Sequence, residues 1–251
     1  IACGMSAVGF KPIVHTFGPF ASRRCYDQVF LSGGYAGNSI TVIGTDPGVT
    51  ATFNGGTHMP FEDVALYRAL PGATIVDITD VPMLVDFLRQ AKDLPGVKYI
   101  RVGRKASAQV YEEGSHFELG KGNVLREGRD AAVIACGIMV HEAMKAAQIL
   151  SQDGIEAAVI DIFTIKPLDE ALVKAYARKT GAIVTAENHN KIGGLYSAVK
   201  DVLDGEAKTG YVAVEDKFGE VGPQDYLQER FGLTAEHIVN TVKETLKRAG
   251  K

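Results

Sequence analysis

The sequence predicts an α/β protein made of two consecutive open, mostly parallel-sheet domains, and three observations predict it. Short β-branched apolar runs alternate with segments of helical spacing along most of the chain. No two-residue hairpin turn joins successive runs, so they pair in parallel through right-handed helical crossovers. The alternation weakens once, between residues 106 and 129, where glycine and charge rise (Glu112, Glu113, Glu118, Lys121), and then resumes with the same architecture. The expected division is a first domain over residues 1–107, a linker over 108–129 and a second domain over 130–251.

In the first domain, Ile1 to Gly9 reads as a helix already in progress, without a cap or polar lead-in, so further sequence is expected before residue 1. Lys11 to Phe17 reads as a buried strand, with His15 as a buried, hydrogen-bonded histidine. Ala21 to Ser32 has helical spacing through Cys25, Val29 and Phe30, and Gly33-Gly34 stops it. Ile40 to Gly44 is a short β-branched strand. Pro60 and Glu62 open a helix that runs to Leu70 and stops at Pro71-Gly72. A strand over Ala73 to Asp77, a helix over Val81 to Lys92 with Pro82 tolerated in its first turn, and a strand over Tyr99 to Val102 complete this half.

The second domain opens with a strand over Ala131 to Ala135, a helix over Val140 to Gln152 and a strand over Ala157 to Phe163, which ends in a turn around Lys166-Pro167. A helix over Asp169 to Lys179, a strand over Gly181 to Ala186, a helix over Leu195 to Leu203, a strand over Gly210 to Val214 and a helix over Ala235 to Arg248 follow. Thr234 is placed to cap the last helix.

Composition removes several function classes. The chain has 251 residues, 46% of them apolar and 23% charged, as a globular protein does. A net charge of −3 without a basic block argues against nucleic-acid binding. No apolar run reaches the length of a membrane span, no signal peptide is visible, and a cytoplasmic protein is expected. The three cysteines, Cys3, Cys25 and Cys136, cannot all pair, and their apolar neighbours suggest reduced, buried thiols. No His, Cys, Asp or Glu grouping has metal-site spacing. His116, His141 and His237 read as surface residues, and His189 as structural or interfacial.

Two segments carry chemistry. Phe53 to Glu62 places His58 in a glycine-rich loop before a helix, where a side chain can meet a ligand and exchange protons near neutral pH. Alone, such a histidine reads as a solvated loop residue. Phe17 to Val29 lies at a strand-to-helix junction, the crevice where open parallel sheets bind ligands. Phe17 and Phe20 offer flat apolar faces there, and Arg23 or Arg24 a planar cation that stacks on a ring or grips an anion; the plain alternative is two core phenylalanines and a solvated arginine pair.

Taken in order, these segments and the second α/β half resemble the transketolase family of thiamine diphosphate enzymes, over its pyrimidine-binding and C-terminal domains. Asn54-Gly55-Gly56-Thr57-His58-Met59-Pro60 resembles the family's Asp-Gly-Pro-Thr-His-Gln-Pro loop, and Tyr26-Asp27-Gln28-Val29 the helix after the pyrimidine pocket. Glu187-Asn188-His189 with Gly193-Gly194 is similar to its Glu-x-His…Gly-Gly stretch. The resemblance implies that Phe17, Phe20 and Arg23 pack on the cofactor's aminopyrimidine, with Arg24 as the substitute for Arg23 because the spacing to Val29 is one residue longer. It implies that His58 faces the donor at the reacting carbon and that Arg104 grips the sugar phosphate.

The chain departs from the family at three points. Asn54 stands where an Asp contacts the donor hydroxyl, and Thr45 where a second phosphate-binding His is expected. The glutamate that activates the pyrimidine belongs before Ile1 and is not in this chain. The Gly-Asp-Gly…Asn diphosphate motif is also absent, which implies a split enzyme. This chain would be the C-terminal subunit of an α2β2-like heterotetramer that includes its own self-dimer. An N-terminal partner subunit would supply the diphosphate-binding domain and the ligands for Mg2+ or Ca2+. The expected reaction is ketol transfer between sugar phosphates. Alternatives are a 1-deoxyxylulose-5-phosphate synthase-like or 2-oxoacid dehydrogenase beta-like subunit, a transketolase for an unusual sugar, and a non-catalytic assembly module.

Overall fold

The computed structural model describes residues 1–251 as two five-stranded sheets with helices packed on their faces. The first half contains α1 (Ala2–Ala7), β1 (Ile13–Phe17), α2 (Gly18–Ala21), α3 (Tyr26–Gln28) running into a π-helical segment (Val29–Tyr35), β2 (Ile40–Thr45), a 3-10 segment (Gly48–Asn54), α4 (Asp63–Ala69), β3 (Thr74–Asp77), α5 (Val81–Ala91) and β4 (Val97–Val102). The second contains β5 (Asn123–Arg126), β6 (Ala131–Ala135), α6 (Met139–Gln152), β7 (Ala157–Asp161), β8 (Thr164–Lys166), α7 (Glu170–Thr180), β9 (Ala182–Asn190), α8 (Leu195–Leu203), β10 (Lys208–Val214), α9 (Gln224–Arg230) and α10 (Ala235–Arg248).

The sheet orders are β1-β2-β4-β3-β8 and β10-β9-β6-β7-β5. Every pairing is parallel except those of β8 with β3 and β5 with β7. The expected α/β class with mostly parallel sheets is therefore the observed one. Both exceptions lie where the sequence showed no strand. β5 falls within residues 108–129, and β8 carries the second half across to close the first sheet. Such short edge strands have too few residues for a periodic signal.

The caps explain the regular helices. The Asp80 carboxylate accepts from Met83 N to start α5, Asp169 from Leu172 N to start α7, and Thr234 from His237 N to start α10. Gly181, with φ at 63°, ends α7 in the left-handed conformation a glycine adopts without strain. The one helix expected over residues 21–32 is instead three short pieces, α2, α3 and the π-helical turn. Gly33 and Gly34 do not stop this segment. They let it press onto the sheet, where a Cβ on Gly33 would meet Val97 at 3.1 Å and one on Gly34 would meet Leu70 at 2.7 Å.

One apolar cluster runs from the first sheet (Ile40, Val42, Ile75, Tyr99) through the second (Ile134, Ile160, Ile183) to α7 and α8, so the two halves share a core. Within it Tyr67 and Tyr99 stack with centroids 4.0 Å apart. Three expectations of burial are corrected here. β1 is an edge strand whose Ile13 and His15 are exposed, because nothing covers that face. Only Cys136 is fully buried, while Cys3 and Cys25 are half-buried at the margin of the shared core; all three are free thiols. His141 is half-buried rather than on the surface, and its Nε2 lies 3.3 Å from the Thr79 carbonyl, because α6 packs against the end of β3. His116 and His237 are exposed, and His189 is fully buried.

Candidate active site

Phe17 ends β1, and Phe20 follows in the short α2, so the strand-to-helix turn sets two half-buried rings side by side. Their centroids are 6.2 Å apart, edge to face. His58 reaches them from the glycine loop and lies edge-on to both, 5.1 Å from each centroid. Phe20 and His58 line a recess of about 250 Å³ together with Pro19, Arg23, Arg24 and Thr57, and Phe17 packs against both rings beside it. The Thr57 hydroxyl lies 2.9 Å from His58 Nδ1. A hydroxyl both donates and accepts, so this contact holds the ring in place in either tautomer and leaves Nε2 without a partner in the chain.

The loop is held from several sides. Gly55 has φ at 72°, and a Cβ on Gly56 would sit 2.5 Å from the Gly219 carbonyl oxygen. Both positions need glycine, the first for conformation and the second for close approach. Just upstream, Thr52 has φ at 47°, a strained state for a β-branched residue of the kind that gathers at functional sites. The second half braces the same segment. Asn188 at the end of β9 accepts from Val49 N at 3.0 Å and donates to the Pro47 carbonyl at 2.8 Å.

Three cations surround the rings in distinct ways. The Arg104 guanidinium lies over Phe17, 4.5 Å from the centroid, and its Nε donates to Asp46. Arg24 lies over Phe20 at 3.9 Å. Arg23 is turned away into an ion pair with Glu62, and it donates to the Thr57 carbonyl at 3.1 Å. The structure thus brings Phe17, Phe20, His58 and Arg104 together and sets Arg24, not Arg23, on an aromatic face. Asn54 ends the 3-10 segment and is exposed. Thr45 is buried and spends its hydroxyl on the Thr16 carbonyl at 3.2 Å. Asp46 was not singled out in the sequence. Its φ of 54° turns a buried carboxylate back onto Arg104, 58 residues away. The only hint was an Asp-Pro pair directly after a strand's carboxyl end.

Beneath the site lies a buried charged network that spans both halves. Arg101 donates to Asp63 at 2.9 Å, to Asp77 at 2.6 Å and to the Asn188 carbonyl at 2.9 Å. Burial raises the Asp77 carboxyl above its ordinary range, although Arg101 opposes the shift. His189 is held neutral, its pKa lowered to about 4 by burial. Glu187 is raised to about 7 by burial and accepts from Leu195 N and Tyr196 N at the start of α8. The Glu187-Asn188-His189 stretch therefore braces the site from behind rather than lining it.

Aromatic rings at the carboxyl end of a parallel strand, with a histidine and two guanidinium groups against them, form an arrangement suited to a flat ring and an anion. Two family models match the chain: the pyrimidine-binding domain of transketolase over residues 1–109 and the transketolase C-terminal domain over residues 120–238. A 6-deoxy-6-sulfo-D-fructose transketolase subunit of a Clostridium species is 46% identical over 99% of this chain and 78% of its own length. An apulose-4-phosphate transketolase subunit of Phocaeicola vulgatus is 32% identical over 99% of this chain and 80% of its own. A solved split-gene transketolase, an inactive beta4 tetramer, superposes with a TM-score of 0.92 at 38% identity, covering 98% of this chain and 80% of that one. The chain belongs to the transketolase family. Within it, the chain is of the split type, in which the pyrimidine-binding and C-terminal domains form one section.

Proposed function

We propose that the chain is the C-terminal subunit of a cytoplasmic two-subunit transketolase that moves a two-carbon ketol unit from a ketose phosphate to an aldose phosphate with thiamine diphosphate. The observation that carries this reading is the cluster in which the Phe17, Phe20 and His58 rings meet edge to face, with Arg104 laid over Phe17. A flat heteroaromatic ring suits these residues: Phe17 and Phe20 are half-buried, and each already carries a planar guanidinium on one face. When bound, thiamine diphosphate supplies a nucleophilic carbon and an electron sink for the two-carbon fragment.

The chain's own residues orient and polarise. Phe17 and Phe20 exclude water from the ring. His58 Nε2 meets the donor's hydroxyl, accepting its proton when this nitrogen is unprotonated and returning it when protonated. Arg104 offers the guanidinium edge left free by Asp46 to the substrate's terminal anion. Asn54 serves the donor hydroxyl, as acceptor or donor. Arg24 is better placed than Arg23 to cover the pyrimidine.

No grouping of three or more His, Cys, Asp or Glu that could hold a metal occurs in the chain. The Mg2+ or Ca2+ that accompanies the diphosphate would be held by the N-terminal partner subunit, which carries the diphosphate-binding domain in this reading. The apolar side chains exposed along α1 and into β1 (Met5, Val8, Phe10, Ile13), with Phe53 near the site, support a partner-covered surface and an α2β2 assembly. The inactive beta4 tetramer of the solved relative supports both self-association and the need for a partner. No helix is long and apolar enough to cross a membrane.

A second donor, a ketose ending in a sulfonate, is favoured by Asp46. The carboxylate on Arg104 cancels its charge, which a monoanionic sulfonate tolerates better than a dianionic phosphate. The buried Thr45 hydroxyl adds no donor to the grip, and the sulfofructose relative agrees. The test is turnover of the reconstituted pair with xylulose 5-phosphate, fructose 6-phosphate, 6-deoxy-6-sulfofructose and pyruvate. Ketol transfer from any of the sugars supports the reading, and kcat/KM ranks phosphate against sulfonate. Pyruvate as the sole donor would refute it. In the same assay His58→Ala should lower turnover by about 10² or more, and an unchanged rate would remove His58 from the chemistry.

A further inference from the structure

A second cavity, of about 320 Å³, lies between the two halves, at the carboxyl ends of β2, β3 and β4 and against α6 and α9. Arg104, Phe17 and His58 do not line it. Its size falls at the lower end of small-molecule sites, roughly 300–1,000 Å³.

The charges around it are unevenly committed. Its three acids are all satisfied by the protein. Asp46 accepts from the Arg104 backbone N–H at 3.0 Å and from its guanidinium. Asp80 accepts from Met83 N, Val110 N and Tyr111 N at 3.2, 2.9 and 2.8 Å. Glu142 accepts from Ala235 N at 2.9 Å and Lys145 at 2.7 Å. The donors are not used up. Lys105, one residue beyond Arg104, makes no ion pair, and the Ser107 hydroxyl has no partner within the chain. His141 Nε2 points at the Thr79 carbonyl, an acceptor only, so this nitrogen carries the proton and Nδ1 is free to accept. A cleft whose carboxylates are all taken up, Asp46 and Glu142 by cations and Asp80 by three backbone N–H groups, and whose lysine and hydroxyl are free, favours an anion that also carries hydroxyls.

We propose that this cleft binds a small phosphorylated polyol or hydroxy acid, its phosphate on Lys105 and Ser107 and a hydroxyl donated to His141 Nδ1. The assignment rests on the cleft's own geometry and not on ketol transfer. Because Asp46 faces the cleft on one side and holds Arg104 on the other, occupancy there bears on the arginine that lies over Phe17.

The experiment is calorimetric titration of the full chain with 3-phosphoglycerate, and with inorganic phosphate as the bare-anion probe. Saturable one-to-one binding of 3-phosphoglycerate is expected, tighter than that of phosphate. Lys105→Ala should weaken it about tenfold or more, the size of a lost charge-assisted contact, and His141→Ala should narrow the gap between the two probes. His58→Ala should leave it unchanged. Lys105 is exposed, so its variant is expected to fold, and circular dichroism verifies this for each variant. Absence of saturable heat at millimolar probe, or binding lost in His58→Ala and kept in Lys105→Ala, would overturn the proposal. The readout is binding to this chain alone, so its failure is separate from any failure of catalysis.

Discussion

Replacing Arg101 by methionine tests the buried network that joins the two halves. The side chain is fully buried, and its three hydrogen bonds reach Asp63, Asp77 and the Asn188 carbonyl. Methionine fills much of the volume but leaves two interior carboxylates without a cation. Tyr99 still donates to Asp63 at 2.7 Å, so that group keeps one partner. Breaking a buried pair in this way costs about 3–5 kcal/mol. At about 2–4 °C per kcal/mol for a chain of this length, Tm should fall by roughly 6–20 °C. The loss should also depend on pH. Burial already holds the Asp77 carboxyl above its ordinary range while Arg101 pulls it down, so removing Arg101 raises it further. A group whose folded pKa exceeds its unfolded value keeps a proton that the unfolded chain releases, so stability falls as pH rises through that window. The deficit of the variant should therefore be smaller at about pH 5 than at about pH 8. Calorimetric melting of both proteins across this range measures it. A loss below about 1 kcal/mol, or one independent of pH, would refute the reasoning, because it would mean that solvent reaches the carboxylates in the folded state.

Three further outcomes are expected. Asp161 is raised to about 7 by burial, so Asp161→Asn should gain on the wild type by about 1.4 kcal/mol per pH unit between about pH 4 and pH 7; urea midpoints across pH report this, and parallel curves would contradict it. Arg104→Ala should lower kcat/KM for an anionic donor about tenfold or more while shifting Tm little, since half of that side chain is exposed; the same loss with an uncharged donor would contradict the anion role. Gly56→Ala pushes a Cβ onto the Gly219 carbonyl and should move His58, so activity should fall by more than the change in melting temperature explains.

The legible parts of the fold were those with strong local signals. The Thr234 cap and the β-branched central strands appear where turn chemistry and periodicity put them. What was not legible depends on tertiary position. His15 alternates as a buried residue would, but no spacing reveals that its strand is at an edge. Residues 21–32 have helical spacing, yet docking of Gly33 and Gly34 against the sheet bends them into three pieces. At the site, the residues carried by motif came together, namely Phe17, Phe20, His58 and Arg104. The partition between Arg23 and Arg24 was open in the sequence, because only the position of Glu62 draws one of them away. Asp46 was silent for a similar reason: its contact with Arg104 depends on one left-handed backbone angle.

The strand that crosses between the halves bears on how the chain is made. Sheet one is finished by β8, whose Thr164 and Lys166 pair with Val76 and Ile75, far later in the chain. During synthesis the first half emerges with β3 as a raw edge and must wait for the whole of β5 to β7 before that edge is covered. Contacts so distant in sequence slow folding and lengthen the exposure of unpaired strand. Cutting this gene product at the apparent boundary near residue 110 would yield not an independent module but a sheet short of its last strand.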